Sequence, residues 1–248
     1  IDVNKLISLL VNLGVSINKL GKGNYEFQAS KIDISYLESD QFKIDGKGLR
    51  GSIMLVGPLL GRFGIGSIPR PGGDKIGRRR LDTHFEGFIK LGADFKYDKE
   101  EYFYTVTADK LKGVEMLLDE PSVTGTANIL MASVLASGKT TIYNAACEPY
   151  LQQLCKMLVR MGAKILGIGS NKLIIEGVEK LNGTSHTLLP DMIEIGSWIG
   201  LAAMTKSELT IKNVSWNDLG QIPSIFRKIG ITIEKVNDDI FIPRHKNG

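Results

Sequence analysis

One phrase recurs four times in this chain of 248 residues, and it constrains the fold more than any single motif. An amphipathic helix ends at a glycine and runs straight into a strand. The first copy follows a capping Asp2, places Leu6, Leu9, Leu10 and Leu13 on one face, closes at Gly14 and continues as VSI. The others are FEGFIKLGADF at 85–95, LQQLCKMLVRMGAKI at 151–165 and IPSIFRKIGITI at 222–233. Gly92, Gly162 and Gly230 close them, so that successive closing glycines from Gly14 onward lie 78, 70 and 68 residues apart. A period this regular marks an internal repeat.

Between these phrases lies a second kind of helix, apolar almost all round: GSIMLVGPLLGRFG (51–64), TANILMASVLASG (126–138) and EIGSWIGLAAMTKS (194–207). A helix apolar on every side is expected in a core, and Trp198 and the methionines are expected there with it. Each copy leads into a strand: GSI, TTIYNA and LTIKNV. EYFYTVTA, KLIIEG and DIFIPR read as further strands. The repeat is therefore strand, buried helix, strand, amphipathic helix, strand, strand, a β-α-β-α-β-β unit of α/β class, and the chain starts and stops inside a unit. Ile68, Ile142 and Ile211 fall in register, which superimposes 48–50, 122–124 and 191–193 just before the three buried helices. Helix starts present free amides and partial positive charge, so ligand contacts are expected there. Ser122 and Asp191 also read simply as N-caps.

The loop PRPGGDKIGRRRLDTH (69–84) sets Arg70, Lys75, Arg78, Arg79 and Arg80 among Gly72, Gly73 and Gly77, with Asp74 in the middle. Glycines let backbone approach a ligand, and arginines with exposed amides suit phosphate or carboxylate groups. The alternative is a solvated basic loop. A net charge of +4 suits small anions and is too weak to argue for nucleic acid. Cys147 and Cys155 lack metal-ligand spacing and a disulfide framework, so both are expected as reduced, buried thiols. No apolar run reaches transmembrane length, and the first residues lack a signal peptide's pattern.

LRGSIMLVGPLLGRFG, PRPGGDKIGRRRLDTHFEGFIKLGA, DEPSVTGTANILMASVLA, ACEP and LPDMIEIGSWIGLAA, in this order and spacing, resemble the UDP-N-acetylglucosamine enolpyruvyl transferase family over essentially the whole chain. The resemblance implies an inside-out α/β barrel, with helices inside, sheets outside and three units per domain about a pseudo-threefold axis. Residues 1–189 would be the nucleotide-sugar-binding and lid domain, incomplete at its N-terminus, and 190–248 the first part of a second, partial domain. It implies transfer of the enolpyruvyl group of phosphoenolpyruvate to the 3′-hydroxyl of UDP-N-acetylglucosamine with release of phosphate. That is the first committed step of peptidoglycan synthesis, carried out in the cytoplasm with no cofactor, metal, nucleic acid or membrane.

By position, the resemblance gives Arg50 to the nucleotide sugar. It gives Arg79, Arg80, Leu81, Asp82 and Thr83 to the uridine and diphosphate, with Arg79 also near the phosphoenolpyruvate phosphate. Glu120, Pro121, Ser122, Val123 and Thr124 form the loop that binds the UDP portion. Asp191 and Glu194 match an acidic pair opening the second domain. Asp74 stands where most members carry cysteine; members with aspartate remain active and resist fosfomycin, which alkylates the cysteine. Addition to the enol ether needs a proton at the methylene carbon of phosphoenolpyruvate, and a carboxylic acid can deliver one. Its ordinary pKa of about 3.9 would have to be raised by closure and burial, against the pull of the arginines.

The chain departs from the family's pattern in several places. Arg80 replaces a usual proline, Glu120 a common lysine, Cys147 an arginine and Tyr150 an acid. The family's N-terminal Lys-Asn pair and its second-domain aspartate have no counterpart in this chain, which reads as part of a longer enzyme. Three rivals stand beside that reading: a shikimate-pathway enolpyruvyl transferase, against which the Pro-Gly-Gly loop argues, a UDP-sugar-binding module without turnover, and an RNA cyclase-like protein, for which no nucleophilic histidine is evident. SGKTT (137–141) is not a P-loop, because Ser133 stands where glycine is needed. GIGS (167–170) reads as a turn between strands. His84 either serves the ligand segment or packs at a helix start, and His186 and His245 suggest neither metal nor triad.

Overall fold

The structure, a computed structural model, describes residues 2–72 and 80–245. They fall into two compact units, Ile1–Thr184 and Ser185–Gly248. In the first, α1 (Asp2–Asn12) leads to the hairpin β1 (Ser16–Gly21) and β2 (Asn24–Gln28), then to α2 (Asp40–Lys47). A 3₁₀ turn over Arg50–Leu55 runs into α3 (Val56–Phe63) and β3 (Ile65–Pro69). After them come α4 (Asp82–Lys90), β4 (Asp94–Asp98), β5 (Phe103–Thr107) and β6 (Glu115–Leu117). The unit continues with α5 (Val123–Ser133), β7 (Lys139–Tyr143), α6 (Pro149–Arg160), β8 (Lys164–Leu166) and β9 (Lys172–Glu176). The second unit holds α7 (Met192–Met204), β10 (Leu209–Ile211), α8 (Ile222–Lys228), β11 (Glu234–Val236) and β12 (Asp239–Ile242).

The repeat is visible atom by atom at the helix ends. Gly14, Gly92, Gly162 and Gly230 have φ of 96°, 95°, 107° and 89°. Only a residue without a Cβ enters this left-handed region at little cost. The following residue then reaches back five positions with its amide: Val15 to Leu10, Ala93 to Phe88, Ala163 to Leu158, and Ile231 to Phe226, all at 2.9–3.0 Å. Four copies of one C-terminal cap thus end the helices in the same way.

Strand order repeats as well. The strand after each apolar helix pairs antiparallel with the last strand of its sheet: β3 with β5, β7 with β9, and β10 with β12. The middle members β4, β8 and β11 complete the sheets, and β6 adds parallel to β7. Ile68, Ile142 and Ile211 occupy matching positions, opposite Tyr104, Leu173 and Ile240. GIGS (167–170) is the turn from β8 to β9, and Lys139 to Thr141 of SGKTT lie within β7. The architecture is mixed α/β, in four separate sheets among the described residues.

Helix α5 is the axis of the first unit. Gly125, Thr126, Ala127, Asn128, Ile129, Leu130, Ala132 and Ser133 are all buried. It packs on α3 and α4 through small residues. A Cβ on Gly57 would collide with the Asn128 carbonyl oxygen, and one on Gly87 with the Ile129 side chain. The core around it joins Phe42, Ile53, Leu60, Phe88, Ile129, Leu130 and Ile142.

The second unit corrects one expectation. Ile195, Ile199 and Ala202 of α7 are buried, but Trp198 is 44% and Met204 86% exposed. The described residues of the unit, a three-stranded sheet, α8 and a 3₁₀ turn at Trp216–Asp218, cover a single face of α7, whose small core adds Val214, Leu219, Ile233, Ile240 and Ile242. Another correction falls on the thiols: Cys155 is buried in α6, but Cys147 is exposed before that helix.

Candidate functional site

Three helix starts distant in sequence meet in the first unit. The 3₁₀ turn before α3 begins at Arg50, α4 begins at Asp82, and Ser122 caps α5 by accepting the Gly125 amide at 3.1 Å. Each start offers amides that lack an intrahelical acceptor. The Arg50 guanidinium donates to the Arg80 carbonyl at 3.2 Å, which ties the first start to the second.

A chain of polar contacts joins the second start to the third. The Arg80 Nε donates to Asp82 at 2.8 Å, and its Nη2 lies 3.0 Å from Asp119. The other oxygen of Asp119 accepts the Thr83 hydroxyl at 2.7 Å. That bond lowers the Asp119 pKa below the usual carboxylate value; partial burial opposes the shift, and Arg80 reinforces it. Arg80 is thus held by two carboxylates and remains about half exposed, with donors left for an anion.

Deeper in, His84 and Asn128 join all three segments. Asn128 accepts the Gly57 amide at 2.7 Å, and its Nδ2 faces the Ile53 carbonyl at 2.8 Å and the His84 Nδ1 at 3.0 Å. The His84 Nε2 lies 3.3 Å from the Thr124 hydroxyl. Burial pushes the His84 pKa down to about 4, and the nearby Arg50 charge adds to the shift. The ring is therefore neutral at physiological pH, so of the two readings of His84 the structure bears out packing at a helix start, with a bond to the ligand segment as well.

Of the residues singled out from sequence, Arg50, Arg80, Leu81, Asp82 and Thr83 gather with Glu120, Pro121, Ser122, Val123 and Thr124. Leu81 and Thr83 face inward, whereas Arg80, Asp82, Pro121 and Thr124 are exposed. Asp74 and Arg79 lie outside the described residues. Asp191 and Glu194 belong to the second unit. There Asp191 caps α7, accepting the amides of Ile193 and Glu194 at 2.8 and 3.2 Å, and the Glu194 carboxylate accepts the Trp198 ring N–H at 3.4 Å. Sequence reasoning missed Asp119, whose only signal was its place beside the Glu120–Thr124 loop. It also missed Asn128, the one amide in an apolar helix. Among the described residues no cluster of His, Cys, Asp or Glu could hold a metal ion, and no helix is long and apolar enough to cross a membrane.

UDP-N-acetylglucosamine 1-carboxyvinyltransferase of Bacteroides fragilis is 64% identical over 243 residues, covering 98% of this chain and 56% of the relative. The protein of the same name from Porphyromonas gingivalis is 59% identical over 247 residues, covering 100% of this chain and 57% of its own. The chain thus spans a little over half the length of the relatives it matches. The enolpyruvyl transferase NikO from Streptomyces tendae shares the fold, with a TM-score of 0.77 over 100% of this chain and 58% of that one, at 15% identity. The family model for EPSP synthase (3-phosphoshikimate 1-carboxyvinyltransferase) matches residues 1–247, and the chain belongs to that family.

Proposed function

We propose that this chain is part of a UDP-N-acetylglucosamine enolpyruvyl transferase. It would transfer the enolpyruvyl group of phosphoenolpyruvate to the sugar 3′-hydroxyl, releasing phosphate, in the cytoplasmic opening step of peptidoglycan synthesis. The observation that carries this reading is the meeting of Arg50, Arg80–Thr83 and Ser122–Thr124, three segments far apart in sequence, around helix starts that favour a diphosphate. The identity of 59–64% to relatives of that name, spread along nearly the whole chain, supports the same substrate.

In this reading the first unit supplies the nucleotide-sugar cradle. Arg50 and Arg80 neutralise the diphosphate, and the hydroxyls and amides at the start of α5 orient it. Arg79 would serve the phosphoenolpyruvate phosphate, and Asp74 would give the methylene carbon its proton.

The test is phosphate release from phosphoenolpyruvate by the complete polypeptide that carries this sequence, in the presence of fosfomycin. Release that requires UDP-N-acetylglucosamine and ignores fosfomycin is expected. Release that requires shikimate 3-phosphate instead would overturn the substrate, and binding of UDP-N-acetylglucosamine without release would leave a binding module.

A further inference from the structure

The hydrogen-bond geometry around Asn128 decides which nitrogen of His84 carries its proton. The Asn128 amide has two hydrogens and one acceptor oxygen. The oxygen is committed to the Gly57 N–H and one hydrogen to the Ile53 carbonyl, so the amide cannot be turned over without setting like against like at both. Its second hydrogen points at His84 Nδ1, 3.0 Å away. Nδ1 must then be the acceptor, which leaves the proton on Nε2, aimed at the Thr124 oxygen 3.3 Å away. An oxygen that accepts from His84 keeps its own hydroxyl hydrogen for another acceptor, and Thr124 is exposed in the first turn of α5.

We propose that His84 is a positioning residue for the Thr124 hydroxyl: as a neutral Nε2–H donor it turns that hydroxyl outward, as a donor to an anionic oxygen of the bound nucleotide sugar. The substrate in this statement rests on the function proposed above; the tautomer and the direction of the hydroxyl rest on the geometry alone. The arrangement also makes the ligand loop sensitive to the packing of α3 on α5, since Gly57, Asn128, His84 and Thr124 form one line of bonds. A histidine that only filled the core would not need its second nitrogen on a surface hydroxyl.

Two substitutions separate the positioning role from the packing role. His84→Asn keeps an acceptor where Nδ1 stands and removes the donor to Thr124. His84→Gln places an amide N–H where Nε2 stands and removes the acceptor for Asn128. The expected result is a crossed pattern: the Asn variant stays stable and binds UDP-N-acetylglucosamine about tenfold more weakly, the loss of one hydrogen bond to a charged group, while the Gln variant is less stable and keeps most of its affinity. Thr124→Val weakens the wild type by a similar factor and adds nothing in the His84→Asn background.

Affinity and stability falling in parallel across both variants, or additive losses in the double variant, would overturn the proposal. Nitrogen-15 chemical shifts of the His84 ring and side-chain couplings of Thr124 test it without ligand. An Nδ1–H tautomer, or a Thr124 rotamer unchanged by His84→Asn, overturns it whatever binds. Should the wild type show the Nε2–H tautomer and the coupled rotamer yet not bind UDP-N-acetylglucosamine, the nucleotide-sugar reading fails and the His84–Thr124 link stands.

Discussion

Asn128, in the middle of α5, accepts the backbone amide of Gly57 at the start of α3, a bond of 2.7 Å across 71 positions of sequence. Leu55, which precedes α3, gives it no side-chain cap, so the cap comes from another helix. Asn128→Ala would leave the Gly57 N–H and His84 Nδ1 without that partner in a buried site, while the Ile53 carbonyl keeps the Val56 amide. Each of these two groups costs about 1–3 kcal/mol, so a loss of about 2 kcal/mol or more is expected in urea unfolding of the first unit. Gly57→Ala should cost a comparable amount, because the added methyl collides with Asn128 itself. A loss below about 1 kcal/mol in both would mean that this contact does not hold α3 on α5.

His84 gives the fold a pH dependence of known sign. Its folded pKa, about 4, lies below the unfolded value of 6.5. The unfolded chain therefore binds more protons between these values, and stability rises with pH there. The contribution is complete above about pH 6.5 and is lost as pH falls through about 4. A shift of this size corresponds to about 3 kcal/mol at most. The measurement is the difference in unfolding free energy between the wild type and His84→Gln from pH 4 to 7. It should grow with pH across that window and level off above it; a difference independent of pH would show that the ring is not held neutral.

Much of this was legible in the sequence because it is written in spacing. Gly14, Gly92, Gly162 and Gly230 mark the same cap four times, and the register of Ile68, Ile142 and Ile211 aligns the starts of the three apolar helices, though not that of α4, before any contact is known. Burial was less legible. Trp198 and Met204 sit in a helix as apolar as α5, yet helix composition says only that a face could be buried, and the second unit offers α7 one covered side. The polar frame was least legible. Asn128 meets Gly57 and His84 from 71 and 44 positions away, and no local pattern reports such distances.

The two thiols should differ sharply in reactivity. Cys147 is exposed, while burial hides Cys155 and pushes its pKa up to about 11. Thiolate is the reactive form, so Cys155 is doubly protected. An aromatic disulfide reagent at pH 8 should titrate one thiol per folded chain, and both in denaturant. Rapid reaction of both thiols in the folded protein would mean that α6 opens far more readily than its packing indicates.

The Thr83–Asp119–Arg80 contacts should matter to binding far more than to folding. The Arg80–Asp119 pair is partly open to solvent, and exposed pairs contribute about 1 kcal/mol or less. Asp119→Asn should therefore leave unfolding nearly unchanged. It weakens the hold on the guanidinium, however, so an anion must order Arg80 as it binds. An affinity for UDP lower by about three- to tenfold is expected by calorimetry, the equivalent of one side chain's ordering cost. Thr83→Val removes the other partner of the same carboxylate, and its effect on affinity should not add to that of Asp119→Asn. Full additivity would mean that Thr83 reaches the ligand by a separate route, and an unchanged affinity in Asp119→Asn would remove Arg80 from the cradle.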